Sequence, residues 1–305
     1  MGSTAVVVVS GGDAVSPFTT PTDACSIGLA AGNTDTAIRE YLLNQGHEVF
    51  TSPAMNARGP VVDQLGGFGK FGGMPFELPA HLTVNSTGDI DLAGEHLARF
   101  LGYLGDTYGV TQLHLVAHSM GGLFSRAAIS VLKATESPLS VASLTTLGTP
   151  WNGSLVGDFV VGDATLQDCA GDPATERVVT EFRKRADELP VGAAQQVTAR
   201  YLGGPDGWNE AQKGVLDDIP VTLIGGSYLH AAGENRYWPH DGFVSEWSAL
   251  ATDVSTEVLA HRTTHSFPLT HSIFTSDLLG LPWETAMTWN SEVLELVHTA
   301  ITAAR

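Results

Sequence analysis

Between Gln112 and Lys133 the chain passes abruptly from a strand pattern to a helix pattern. Gln112-Leu113-His114-Leu115-Val116-Ala117 is strand-like, His118-Ser119-Met120 forms a sharp turn, and Gly121 to Lys133 is helical in character. A backbone that reverses so tightly accepts only small residues two positions either side of its apex, because a larger Cβ would strike the adjoining strand or helix. Ala117 and Gly121 stand at those two places. Ser119 is thereby presented above the carboxyl end of a strand, with the Met120 amide at the start of a helix, where backbone N–H groups attract negative charge. A strand that feeds a helix in this way needs neighbouring strands, and the rest of the chain must supply them.

It supplies them at regular intervals. Ala5-Val6-Val7-Val8-Val9 is continuously apolar and β-branched, as expected of a central parallel strand covered on both faces, and Ser10-Gly11-Gly12 ends it. A helix over Asp35 to Asn44, a strand over His47 to Thr51 and a helix over Asp91 to Tyr108 follow. Further strands are expected at Val141 to Leu147, Val221 to Gly225 and Glu257 to His261, before a closing helix from Ser291 to Ala303. The expectation is an α/β fold: a mostly parallel central sheet flanked by helices, formed as a single domain over residues 1–305. Residues 151–220 form an insertion with helical stretches at Ala174 to Leu189 and Gly192 to Leu202, read either as a lid or cap over the sheet edge or as extra scaffold.

Ala117-His118-Ser119-Met120-Gly121-Gly122 resembles the nucleophile elbow of the α/β-hydrolase superfamily, and is similar to that of bacterial true lipases, including small lid-poor forms with alanine as the first residue. Two further segments extend the resemblance. Leu147-Gly148-Thr149-Pro150-Trp151-Asn152-Gly153-Ser154 is similar to the LGTPHxGS segment of those lipases, with Trp151 in place of the usual histidine. Asp241-Gly242-Phe243-Val244-Ser245 is similar to the DGxV segment that carries their catalytic acid. The resemblance implies an α/β-hydrolase fold and a serine hydrolase acting on carboxylic esters of hydrophobic acyl chains, a lipase or esterase. The same scaffold also hosts thioesterases, amidases, acyltransferases and polyester hydrolases, and a catalytically silent binding module is the alternative of a different class.

A serine hydroxyl at neutral pH needs a histidine to take its proton and a carboxylate to orient that histidine, in the chain order serine, acid, histidine. Asp241 is the chosen acid over Asp217, Asp218 and Asp253, although Asp241-Gly242 also reads as an ordinary turn. His271, on a loop ahead of an apolar segment, is the chosen base; His265 is its rival, and His261 falls within the expected strand. The resemblance places a second oxyanion donor beside the Met120 amide in the Ser10-Gly11-Gly12-Asp13 loop, at Gly12 or, with a one-residue change of register, at Asp13. A carboxylate aimed at that site would oppose catalysis, so Asp13 is expected to face solvent or cap the following segment.

Partners are limited by charge. Thirty-three acidic residues against fifteen basic ones leave a formal charge of −18, which repels nucleic acid and anionic membrane surfaces. No apolar run is long enough to span a bilayer, so stable membrane insertion is not expected; the partner that the resemblance implies is an ester substrate, small or lipidic, and the oligomeric state is open. No cofactor is expected: the glycine-rich stretch Gly66 to Gly73 lacks a phosphate-binding frame, and His261, His265 and His271 lack the acids or cysteines of a metal site. Met1-Gly2-Ser3 reads as a replaced start, leaving a secreted or a cytoplasmic protein, with secretion favoured if a signal peptide has been removed. Cys25 and Cys169 form either one disulfide or two small buried residues.

Overall fold

In the computed structural model, residues 2–23, 34–56, 78–188, 192–231 and 235–304 are described. Its centre is a six-stranded sheet in which every neighbouring pair is parallel. The strands are β1 (Ser3–Val9), β2 (Val49–Thr51), β5 (Val110–His118), β6 (Ser140–Leu147), β7 (Val221–Gly226) and β8 (Arg262–Phe267), in the order β2-β1-β5-β6-β7-β8. β3 (Ala54–Met55) and β4 (Val84–Asn85) make a separate two-stranded pair.

The alternation of β1 decides what covers the sheet. Ala5, Val7 and Val9 join a core with the helices α2 (Ile90–Tyr108) and α3 (Gly121–Ala134). Val6 and Val8 face the other way, onto α1 (Thr36–Asn44) and the closing helix α11 (Ser291–Ala303). Both faces are therefore buried, which explains a strand of consecutive valines. The ends of α2 are legible locally. Asp89 accepts from the amides of Asp91 and Leu92 at 2.9 and 3.1 Å, and Gly109 terminates the helix at φ 71°.

The insertion between β6 and β7 folds as a string of helices: α4 (Leu155–Val161), α5 (Pro173–Glu188), α6 (Ala193–Gln196), α7 (Ala199–Gly203) and α8 (Trp208–Ala211). The expected single helix over Gly192 to Leu202 is broken into two at Thr198, whose side chain accepts from the Tyr201 amide and starts a new helix. Between β7 and the C-terminus lie α9 (Glu246–Ala249) and α10 (Ile273–Leu279).

The strand expected over Glu257 to His261 is instead a turn, and β8 begins at Arg262, paired with Val221. The reason is physical: β8 is the sheet edge, so Arg262-Thr263-Thr264-His265-Ser266-Phe267 is largely polar and carries no apolar run to announce it. Cys169 is a buried free thiol, while Cys25 and the whole of Gly66 to Gly73 lie outside the described residues. Trp151 and Trp238 are core residues. No helix among the described residues is long and apolar enough to cross a membrane.

Candidate active site

β5 ends at His118, and Ser119 adopts φ 54°, a left-handed conformation rare for a residue with a side chain. Three neighbours hold it there. The Ser119 amide donates to the Leu147 carbonyl at 2.7 Å, the Thr149 hydroxyl donates to the Ser119 carbonyl at 2.7 Å, and α3 begins two residues later. The crowding is severe. A Cβ on Gly121 would lie 2.5 Å from the Val9 carbonyl oxygen and 2.7 Å from that of Ser10, and one on Gly11 would lie 2.6 Å from the Ser119 Cβ. The small residues around the turn are thus required by contact between it and the β1 loop.

Asp241 and His271 come together from loops after β7 and β8. The His271 Nδ1–H donates to Asp241 Oδ2 at 2.7 Å, which leaves Nε2 as the basic nitrogen. The main chain doubles the link, the His271 amide donating to the Asp241 carbonyl at 2.8 Å. The other carboxylate oxygen of Asp241 accepts from the amides of Phe243 and Val244 at 2.9 and 2.8 Å. Asp241-Gly242 is therefore a turn as well as a histidine partner; the two readings describe one loop. Gly148, at φ 60°, leaves the space this pair needs, since a Cβ there would come within 2.9 Å of His271 Nδ1 and 3.0 Å of Asp241 Oδ2.

Ser119 and His271 line one cavity of about 900 Å³, together with Gly12 and Met120. Its walls include Val156, Val178, Phe182, Phe243 and Leu278. The amide of Asp13 is engaged, donating to the Ser86 carbonyl at 3.2 Å. The Asp13 carboxylate is partly exposed, in line with the expectation that it faces solvent, and is held there by partners. It takes Arg185 of α5 at 2.7 and 2.8 Å and the Asn56 amide group at 2.8 Å.

His265 is not brought to this cavity. It pairs with Ile224 on the edge strand β8, and the exposed Asp217, Asp218 and Asp253 are likewise elsewhere. Two residues around the cavity were not anticipated as participants. His118 is buried, its Nε2–H donating to the His271 carbonyl at 2.9 Å, and its ring lies 4.6 Å from that of His271. Burial first, and the neighbouring His271 second, hold its pKa well below the usual histidine value, so it is neutral. Its place beside the serine was the available signal. Asp35 also lines the cavity, buried beside Ser10, and nothing in its local sequence distinguishes it from a helix-starting aspartate.

Comparison with known proteins bears on the fold. The family profile described as the alpha/beta hydrolase fold matches residues 85–177, which include Ser119. Triacylglycerol lipases from Pseudarthrobacter phenanthrenivorans and Burkholderia plantarii are each 42% identical over 67 residues, 22% of this chain. The matched stretch spans only 19% and 17% of those two relatives. A crystal structure of a Bacillus licheniformis lipase in its mature form superimposes with a TM-score of 0.52 at 16% identity, covering 90% of this chain and 88% of that one, a likeness of fold. With its parallel sheet, its strand-turn-helix serine and these likenesses, the chain has the α/β-hydrolase fold and resembles lipases and esterases.

Proposed function

We propose that the protein is a serine hydrolase of carboxylic esters with hydrophobic acyl chains, using Ser119, His271 and Asp241. The observation that carries this reading is that His271, bonded to the buried Asp241, lines one largely apolar cavity together with the strained Ser119. His271 Nε2 takes the proton of the Ser119 hydroxyl as its oxygen attacks the ester carbonyl carbon, and Asp241 stabilises the resulting imidazolium. The amides of Gly12 and Met120 receive the negative charge that develops on the carbonyl oxygen. Gly12 is preferred to Asp13 because the Asp13 amide is already engaged by Ser86.

Collapse of the tetrahedral intermediate breaks the bond to the alcohol, which departs with the proton from His271. Water then attacks the acyl-enzyme, gives its proton to His271, and the acid leaves as Ser119 recovers its hydrogen. The apolar walls favour a hydrophobic acyl group through burial of its methylenes, each worth about 0.8 kcal/mol.

The test is hydrolysis of p-nitrophenyl butyrate and palmitate by the wild type and by Ser119→Ala, with folding checked in both. The expected result is turnover by the wild type and a loss of about 10³-fold or more in the variant. Activity that survives the substitution would refute the mechanism, and the ratio of the two substrates reads the chain-length preference.

A further inference from the structure

Behind the β1 loop lies a buried polar group that the reaction above does not use. Ser10 immediately precedes Gly11-Gly12, and its hydroxyl is hydrogen-bonded on one side to Asp35 Oδ2 and on the other to the Ser16 hydroxyl, the latter at 2.6 Å. Asp35 is 1% exposed, and among the described residues its second carboxyl oxygen has no hydrogen-bond partner. Burial raises its pKa to about 7, with Ser10 offsetting only part of the effect.

Among the described residues no salt bridge reaches it, and no cation stands among the causes of its shift. Of the charged and titratable groups on the surrounding elements, Asp13 is paired with Arg185, and Arg39 of α1 donates to the Thr19 hydroxyl and the Thr20 carbonyl. His118 is bonded to the His271 carbonyl, and on the α1 and α11 side Tyr41 donates to Glu295 while His47 meets His298. Burial of a carboxylate in such a place disfavours its charge, and the neutral acid is favoured.

The loop that Ser10 anchors is also pressed against the serine. Gly11 packs on the Ser119 Cβ, Gly12 packs on the Met120 sulfur, and the Ser10 carbonyl lies over Gly121. A shift of Ser10 would move the Gly12 amide relative to Ser119. We propose that Asp35 is a positioning residue for the oxyanion loop: as a neutral acid it locks Ser10, and through Ser10 it sets the Gly12 amide. This rests on the serine-hydrolase reading given above.

In the neutral form the acid proton is donated to the Ser10 hydroxyl, which donates to Ser16. Loss of that proton reverses the relay, with Ser16 donating to Ser10 and Ser10 to the carboxylate, and leaves a buried negative charge behind the site where the oxyanion must form. Both changes act on the transition state and not on substrate binding, so the signature is a fall in kcat at alkaline pH with little change in KM.

The experiment measures kcat and KM on p-nitrophenyl butyrate from about pH 5 to about pH 10, with correction for spontaneous hydrolysis, for the wild type, Asp35→Asn, Asp35→Ala and Ser10→Ala. Labelling of Ser119 by a serine-directed phosphonate and the thermal midpoint are followed in parallel. The wild type is expected to lose about tenfold in kcat above neutrality and Asp35→Asn to lack that loss; in Asp35→Ala and Ser10→Ala, kcat is expected to fall about tenfold or more at every pH with KM nearly unchanged. The thermal midpoint of Asp35→Asn is expected to gain on the wild type as the pH rises from about 4 to about 8, because only the wild type must bury or neutralise a carboxylate there.

A wild type that is labelled by the phosphonate but keeps its kcat at alkaline pH overturns this proposal alone. So do an alkaline fall that persists in Asp35→Asn, and undiminished kcat in both alanine variants. A wild type that neither hydrolyses the ester nor is labelled overturns the serine-hydrolase reading as well.

Discussion

Ser119 combines two demands that conflict. Its φ of 54° suits glycine, whereas the proposed chemistry needs a hydroxyl, so the position carries backbone strain on the order of 1–3 kcal/mol. Ser119→Gly is therefore expected to be inactive yet more stable, by about 1 kcal/mol, in urea or thermal unfolding. A variant less stable than the wild type would show that the hydroxyl, not the backbone, dominates the energetics of the turn. At this scale the site was largely legible: Ser119, Met120, Gly12, Asp241 and His271 each stand in or beside a short motif and line or adjoin one cavity. His118 and Asp35 were not, because their significance lies in partners 153 and 25 residues away along the chain.

Among the elements, α5 matters most to the cavity. Val178, Phe182, Arg185 and Ala186 lie on one face of the helix and line the cavity, and α5 is tied to the β1 loop by Arg185 and Asp13. That ion pair is about two-fifths exposed on both sides, so it is a weak contributor to stability and serves mainly to fix where α5 meets the loop. The aromatic contacts continue inward, from Phe182 to Phe243 at 6.1 Å and from Phe243 to His271 at 5.2 Å. If this wall receives the acyl chain, Phe182→Ala is expected to lower kcat/KM for the palmitate ester relative to the butyrate by about 5-fold to 20-fold, the equivalent of 1–2 kcal/mol of lost apolar contact. An unchanged ratio would place the chain elsewhere. Helices and inner strands were readable from period and composition, but the edge strand β8 was displaced in the reading by several residues because one side of it has no partner strand. Trp151, which departs from the lipase-like segment it stands in, also has its contacts at this scale. The guanidinium carbon of the fully buried Arg126 lies 4.4 Å from the centroid of the Trp151 ring and 4.6 Å from that of Trp208, joining the insertion to α3.

Across the whole molecule, stability couples to pH through groups buried in their neutral forms. His118 and His240 have lowered pKa values, the second near 4, in both cases chiefly because burial disfavours the charge. An unfolded chain protonates its histidines near pH 6.5 while these two stay neutral, so their contribution is lost as the pH falls below about 6.5. Asp35 acts in the opposite sense. Its folded pKa of about 7 lies above the unfolded value, so its contribution is greatest at low pH and is lost as the pH rises from about 4 to about 7. Two groups outweigh one over the shared window. The urea midpoint is expected to fall on acidification from about pH 6.5 to about pH 4.5, and to fall more steeply in Asp35→Asn, where the opposing group is gone. A midpoint that rises on acidification would mean that His118 and His240 are charged in the folded state.

The sequence by itself determined the α/β alternation and the strand-turn-helix around Ser119, because these follow from side-chain period and small residues at a tight turn; the proposed order of serine, acid and histidine came from the resemblance to the hydrolase motifs. Only the tertiary structure decided between His271 and His265 as the partner of Asp241, since they are six residues apart and differ only in the loop or strand that carries each. It also decided that Asp13 is held by Arg185, that the Arg126 guanidinium lies over Trp151, and that Asp35 is buried with one carboxyl oxygen left without a hydrogen bond among the described residues. Those are properties of the space between distant segments. A local pattern constrains the backbone near it, but burial and the partner of a charge are set by whatever the folded chain brings alongside.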